Sequence, residues 1–440
     1  MPSLTTLNTL ALGTLLASAA VAVWGTWGIA FRTGFLALIK SMRVLPVVNV
    51  PLHETYTGIS PIDKFIQRLH LILYPAVDGT WPGLCLVAWE FSGSFAVTWM
   101  VVGLEGLRMG NKEKVLAFTA TVSQLSQIVT YCIVMPLYLF LHLLTSPTNT
   151  ASPSLLTGTV TADNNVATAF LAADPADLAA WAPAFALSYL LPSFLVIFPA
   201  PRFMSWTVKQ YIMASWDLYA VPFKIFQILL AKYVFRKIYT SASGQRGVPV
   251  KTSTSGEPDK ESLAEKKAET LGILRKTYLF AFLTAAVTHV ISLTLSLSSV
   301  FFPAVFSSSL SSAVESKVYG GHSPYAFAPG NIFLPVSPFY TAQVKSPGEG
   351  LHHFLVWNMA VSNFAPVVWA GLQLWGAVVR MKERRVGEEH GKDGGKVKGK
   401  AVARGWNWEW LVEMIGAGVL GGPAGVAVWC LWRRDELVLG

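Results

Sequence analysis

Residues 84–107 read LCLVAWEFSGSFAVTWMVVGLEGL. A bilayer core needs about 20 apolar residues per helix, so this stretch is long enough to cross one. It also holds an acid, Glu90, directly after Trp89. A carboxyl group at membrane depth is costly, so it faces a protein interior and marks a functional site by default. The pattern has an echo at Trp216-Asp217, inside a second apolar run.

The rest of the chain is of the same kind. Its 440 residues are 52% hydrophobic and only 13% charged, with a mean hydropathy of +0.46. Soluble domains carry roughly 25% charged residues. Apolar runs at 9–39, 84–107, 115–144, 181–197, 211–234, 271–302, 354–379 and 410–432 predict an all-α, polytopic integral membrane bundle. The expected architecture is seven to eight transmembrane helices in a single membrane domain spanning 1–440. The first run lacks a basic leading segment and stays apolar to residue 39, so it is expected to be a span rather than a signal peptide.

The net charge of +9 is unevenly placed. Residues 236–276 hold nine Lys/Arg and residues 380–404 hold nine more, together 18 of the chain's 34. Both stretches mix these with acids, Gly and Ser, so 236–272 and 381–405 are expected to be disordered cytoplasmic loops. They lack the interleaved aromatics of a nucleic-acid surface. Residues 145–180 carry Asp163, Asp174 and Asp177 and no base, and 303–350 carry only Lys317 and Lys345. Both are expected on the lumenal side, the second as a loop or cap. Cys85, Cys132 and Cys430 lie in apolar runs without metal spacing and are expected to pack as small apolar residues.

One segment breaks the charge rule. The loops around 108–114, 202–209 and 236–276 all look cytoplasmic, yet 211–234 lies between the last two. That run holds Asp217, Pro222, Lys224 and Gln227. Either it is broken or re-entrant, which is tolerated where irregular backbone lines a protein cavity, or one loop disobeys the rule. The apolar piece 65–77 is too short to span and is interrupted by Gln67, Arg68 and His70. It is expected at the interface, before the turn Asp78-Gly79-Thr80-Trp81-Pro82.

The chain has no Gly-rich phosphate loop, no HExxH, no GxSxG and no DDxxD-type acidic cluster. The last absence argues against a UbiA-type enzyme that ionises a diphosphate with metal ions. What remains is acids beside aromatic rings. A carboxyl group in an apolar pocket stays protonated near neutrality and can act as a general acid toward an epoxide or alkene. Nearby rings stabilise a passing cation. Glu90, Asp217 and Asp78 are therefore the candidate catalytic acids, with Trp81, Trp89, Trp216 and Tyr219 as candidate substrate contacts. The bland alternatives are concrete. Asp78 caps the following helix, and Lys209 or Lys224 pairs with Asp217. Glu105 and Arg108, three apart on a helix, form a surface or interfacial ion pair or else contact the substrate. His142 and His289 each stand alone and are expected to be packing residues.

Scattered positions carry a family likeness. Asp63, Leu73, Pro75, Val77, Asp78-Gly79 and Pro82 are followed by Glu105-Gly106-Leu107-Arg108 and Gly110-Asn111. Lys209-Gln210, Trp216, Pro222 and Phe226-Gln227 come later. Over roughly residues 25–235 the chain resembles the fungal transmembrane terpene cyclases of the ascofuranone-pathway type, which act in meroterpenoid biosynthesis. The resemblance implies cyclisation of a lipophilic prenylated substrate, often one with a terminal epoxide, without a metal or redox cofactor. It implies the endoplasmic reticulum membrane as location and a pathway prenyltransferase and epoxidase as partners. The acidic positions would be the proton donor and its partner: the leading assignment has Glu90 or Asp78 protonate the epoxide or alkene and Asp217 act as partner or final base, although the residues do not identify which acid has which role. The rival reading is a proton-coupled transporter or exporter of a lipophilic metabolite, because intramembrane acids also serve proton coupling. A third is a noncatalytic scaffold working through its basic loops.

Overall fold

The computed structural model describes residues 3–151, 167–238, 260–302, 327–392 and 408–440. Among these residues there is no extended sheet; isolated bridges pair Val44 with Pro51 and Arg108 with Ala172. The principal helices are α1 (Leu4–Arg32), α2 (Phe35–Ser41), α3 (Ser60–Leu73), α4 (Pro82–Gly106), α5 (Thr119–Val129), α6 (Tyr131–Thr145), α7 (Pro175–Leu195), α8 (Trp206–Asp217), α9 (Ala220–Ile238), α10 (Lys260–Phe301), α11 (Pro347–Lys392) and α12 (Trp408–Leu439). Six are long and apolar enough to cross a membrane, and the bent pair α8–α9 raises the number to seven.

Helix α4 is the hub. Pro82 opens it at a position where the missing N–H costs nothing. Every residue from Gly93 to Gly106 is buried, as expected of a helix surrounded by others. Two glycines permit close approach: a Cβ on Gly93 would meet Thr288 of α10, and one on Gly103 would meet the Trp181 ring of α7. Trp181 Nε1 also donates to the Met100 carbonyl at 3.0 Å. Helix α12 packs against both α10 and α11, and it breaks at Gly422, whose φ of 60° only glycine adopts cheaply.

The run 115–144, expected to be one span, is two helices. Thr130 takes a φ of 113° and divides α5 from α6. Backbone groups freed at such a depth need partners, and Asn358 Oδ1 accepts the Cys132 N–H while Trp27 Nε1 donates to the Val129 carbonyl. This break removes one span from the upper end of the expected count. The disputed run 211–234 is also broken: α8 and α9 meet at 75° between Asp217 and Ala220.

Parts of the expected loops are helical. Residues 260–272 belong to α10 and 381–392 to α11, so helix propagates into both basic stretches. The remainder, 239–259 and 393–407, lies outside the described residues, as do 152–166 and 303–326 of the two stretches expected on the lumenal side. The second half of the expected cap is ordered against the bundle. Ser296 Oγ donates to the Phe327 carbonyl, Trp357 Nε1 to Val336 and Gln343 Nε2 to Arg32.

Candidate active site

Helix α8 buries Lys209, Gln210, Met213, Ala214 and Asp217, a polar stripe that faces α3 and the loop before it. Gln210 holds that loop. Its Nε2 donates to the Pro51 carbonyl at 3.2 Å, while its Oε1 accepts the His53 N–H and the Tyr56 hydroxyl, each at 2.8 Å. Asp63, near the start of α3, binds the same loop through the N–H groups of Tyr56, Thr57 and Gly58 and the Thr57 hydroxyl. Two turns further along the same face of α3 comes His70, fully buried. Its Nδ1 lies 3.0 Å from Tyr56 Oη, and its Nε2 lies 3.3 Å from Asp217 Oδ2; these last two atoms are both buried and face each other without a well-formed hydrogen bond. Burial pushes the Tyr56 phenol above its ordinary value, so it stays neutral.

Beside Asp217 the chain bends into a group of packed rings. Trp216 lies 6.3 Å from Tyr189 of α7, centroid to centroid, and Tyr219 lies 5.0 Å from it. Tyr189 stacks on Phe95 of α4 at 5.1 Å, Phe95 meets Tyr131 of α6 at 4.7 Å, and Tyr131 meets Phe91 at 5.9 Å. Trp99 joins at 6.1 Å from Tyr131. The Tyr131 and Tyr219 hydroxyls and the indole N–H groups of Trp99 and Trp216 are buried without a well-formed hydrogen bond. The belt therefore offers π faces together with uncommitted polar atoms.

Glu90 precedes Phe91 on α4 and turns to α10. Its Oε1 lies 2.9 Å from Nδ1 of His289 on α10, and its Oε2 is buried without a hydrogen bond. The His289 ring sits against Gly422, at the break in α12. Unlike His70, the His289 side chain keeps 21% of its surface exposed. At 100° per residue, Glu90 and Phe95 point about 140° apart on α4, so Glu90 and Asp217 do not share one face of the hub.

The other sequence candidates have different tasks. Asp78 accepts from the Thr80 N–H and hydroxyl, which fixes the turn before α4 rather than capping the helix. Burial pushes its carboxyl up, against the hydrogen bonds from Thr80 and the nearby Lys209. Lys209 reaches the carbonyls of Val77 and Phe198, and Lys224 binds Gln227, so neither lysine pairs with Asp217. Trp81 packs on Gly348 at the start of α11, and the half-buried Trp89 is not among the belt rings.

Glu105 and Arg108 are not a surface pair. Arg108 Nε binds Glu105 at 2.9 Å and its Nη2 binds Asp435 at 2.6 Å. Arg434 bridges Glu105 and Asp435, and Tyr278 Oη donates to Asp435 at 2.7 Å. His142, with Nδ1 accepting from Trp369, turns Nε2 toward Glu105 at 3.3 Å, and Thr148 donates to Glu105 at 2.7 Å. All these charges are at most 2% exposed. Apart from Arg434 Nη1, which has no hydrogen-bond partner, the charged groups bond to one another or to neighbouring side chains, so this cluster clamps α4, α6, α10 and α12 together.

His142 and His289, expected to pack alone, both pair with acids. His70, Tyr56 and Gln210 were not among the expected site residues. The one signal in their favour was that His70 interrupts an apolar segment. Among the described residues, no three His, Cys, Asp or Glu side chains converge as a metal site would require.

Over 420 residues the chain is 25% identical to the terpene cyclase ascI of Acremonium egyptiacum, covering 94% of this chain and 88% of that one. It is 22% identical over 414 residues to the terpene cyclase ctvD of Aspergillus terreus, covering 93% and 94%. It is 22% identical over 364 residues to the terpene cyclase penA of Penicillium crustosum, covering 82% and 83%. No solved structure matches. The likeness first legible over residues 25–235 extends across nearly the whole chain: the CtvD domain model matches residues 11–439, and the protein belongs to the CtvD domain family.

Proposed function

We propose that the protein is a membrane terpene cyclase that starts cyclisation by protonating an epoxide or alkene of a prenylated substrate, without a metal ion. The observation that carries this reading is the solvent-sealed Asp217–His70 pair beside the ring belt of Trp216, Tyr219, Tyr189, Phe95 and Tyr131. Asp217 gives its proton to the epoxide oxygen, the C–O bond opens, and a neighbouring alkene closes the ring on the carbon. Ring faces stabilise each cation in turn, and the absence of water keeps it from early capture. The last cation must shed a proton. Glu90, paired with the part-exposed His289, is the proposed acceptor of that proton. The reaction is a net isomerisation, so one proton must return to Asp217 before the next turnover. Complete burial of the Asp217–His70 pair and partial exposure of His289 support this division of roles.

The relatives are fungal terpene cyclases by name, which supports the reaction class. The long apolar helices support a site reached by lipophilic substrates, and the endoplasmic reticulum is the proposed membrane. The test is direct. Membranes containing the full chain are given a prenylated phenol with a terminal epoxide, in the presence of EDTA. The expected result is a cyclic product of unchanged mass, absent from control membranes. Gradient-driven uptake into vesicles with no new product would overturn the cyclase reading in favour of a transporter.

A further inference from the structure

The hydrogen-bond directions around His70 can be read one atom at a time. Tyr56 Oη and Gln210 Oε1 are 2.8 Å apart, and two oxygens at that distance need a hydrogen between them. The amide oxygen carries none, so the phenol donates. The amide orientation is fixed from both sides, because Oε1 also accepts the His53 N–H and Nε2 donates to the Pro51 carbonyl. With its one hydrogen committed, Tyr56 Oη can only accept from His70, so Nδ1 carries a hydrogen. Nε2 then either presents a lone pair to Asp217 or holds an added proton. An ionised Asp217 facing a lone pair would be repelled, in a site where both groups are sealed from water. The pair must therefore carry a proton, on the carboxyl or on the imidazole. In the opposite tautomer, Nε2–H would donate to an ionised Asp217, and there would be no proton to deliver.

We propose that Tyr56, oriented by Gln210, is a positioning residue that locks His70 in its Nδ1–H form and thereby keeps the Asp217–His70 pair loaded with one proton. This inference rests on Asp217 being the proton donor, and it assigns the loop before α3 a part in that chemistry. The titratable groups around the pair do not supply the proton themselves. Asp63 is satisfied by the loop N–H groups, Lys209 is turned to the Val77 and Phe198 carbonyls, and Tyr211 binds His53 and Thr55. From α7 the nearest is Tyr189, and α5 presents no charged residue.

The test needs no substrate, so it is independent of the cyclase reading. Infrared spectra of the full chain in nanodiscs are recorded against pH, with the loaded pair identified by bands that vanish in Asp217→Asn or His70→Gln. Tyr56→Phe keeps the ring against His70, 5.0 Å centroid to centroid, but removes both hydrogen bonds. It is expected to lose the band near neutrality and regain it on acidification by about one pH unit or more. Tyr211→Phe loosens the same loop without touching His70 and is expected to titrate as the wild type does. If Tyr56→Phe titrates like the wild type, the lock is refuted. If the wild type shows neither a protonated Asp217 nor a doubly protonated His70 near neutrality, the loaded pair is refuted. Should Asp217→Asn still cyclise substrate while Tyr56→Phe shifts the band, the lock stands and the assignment of the donor falls.

Discussion

Asp217→Asn separates chemistry from architecture more cleanly than any other substitution at this site. The amide has nearly the shape of the carboxyl, and its N–H can donate to the His70 Nε2 lone pair at the same 3.3 Å separation. The tautomer set by Tyr56 is preserved, and the backbone bond from Gln124 to the Asp217 carbonyl is untouched. No buried group loses its partner, so the expected stability change is below about 1 kcal/mol. What is lost is a transferable proton. General acid catalysis contributes roughly 10²–10⁴ in rate, or about 3–5 kcal/mol of barrier. Product formation in membranes normalised for protein content should fall by that factor while the melting temperature holds. Asp217→Ala is the companion. It removes the carboxyl that faces the buried His70 Nε2 and leaves a void beside it, at a cost of about 1–3 kcal/mol, so it should lose stability as well as activity. Activity of Asp217→Asn within about threefold of the wild type would refute the donor assignment, since that is far less than general acid catalysis contributes. Equal loss of stability in both variants would reduce Asp217 to a structural residue.

Further outcomes follow from the neighbouring groups. Glu90→Gln removes the proposed terminal base without touching Asp217, so substrate should still be consumed while the product shifts toward water-captured or alternative alkene forms, read by mass spectrometry; an unchanged product would remove Glu90 from the reaction. Asp435→Asn leaves two buried arginines facing one acid and should cost about 3–5 kcal/mol in unfolding measurements, whereas Arg434→Met with Asp435→Leu restores neutrality around Glu105 and Arg108 and should recover most of it. The Asp78 carboxyl is raised above its ordinary 3.8 by burial, so the folded state binds its proton more tightly than the unfolded chain. Stability from this group is full below about 4 and declines as pH rises through the raised folded value, and Asp78→Asn should flatten that decline while keeping the Thr80 turn.

Much of the architecture is legible from hydropathy, because a helix in lipid must be apolar throughout. The bundle class and the intramembrane position of Glu90 and Asp217 follow from that rule. The number of spans does not, because Thr130 breaks a run of apolar residues that carries no Pro or Gly at the break, and the partners that permit it, Asn358 and Trp27, are far away in sequence. The same limit hides the site. His70 precedes Asp217 by well over a hundred residues, His289 follows Glu90 by 199, and Arg434 meets Glu105 across 329. A single sequence shows which residues are out of place in lipid, but not which of them meet. Adjacent Trp-acid pairs mislead for a related reason. Neighbours on a helix point about 100° apart, so Trp89 does not share the environment of Glu90, and Trp216 reaches Tyr189 while Asp217 turns to His70.

The segment that disobeyed the charge rule is the one that holds the proposed acid, and one physical cause accounts for both. Lys209 counts toward a cytoplasmic loop by charge, yet it is buried on α8 with its ammonium on two backbone carbonyls, so it says little about sidedness. Asp217 and Gln210 look like polar intrusions in a span, yet they form the stripe that meets α3. A straight helix through 206–238 would point Trp216, Asp217 and Tyr219 in successive directions around one axis. The 75° bend instead lets Trp216 and Tyr219 converge on Tyr189 while Asp217 stays on the α3 side. Such a bend frees backbone groups that lipid cannot satisfy, and Gln124 of α5 binds the carbonyl of Asp217 itself. Gln124 thus helps to hold the bend, and the bend sets Asp217 at the edge of the aromatic belt.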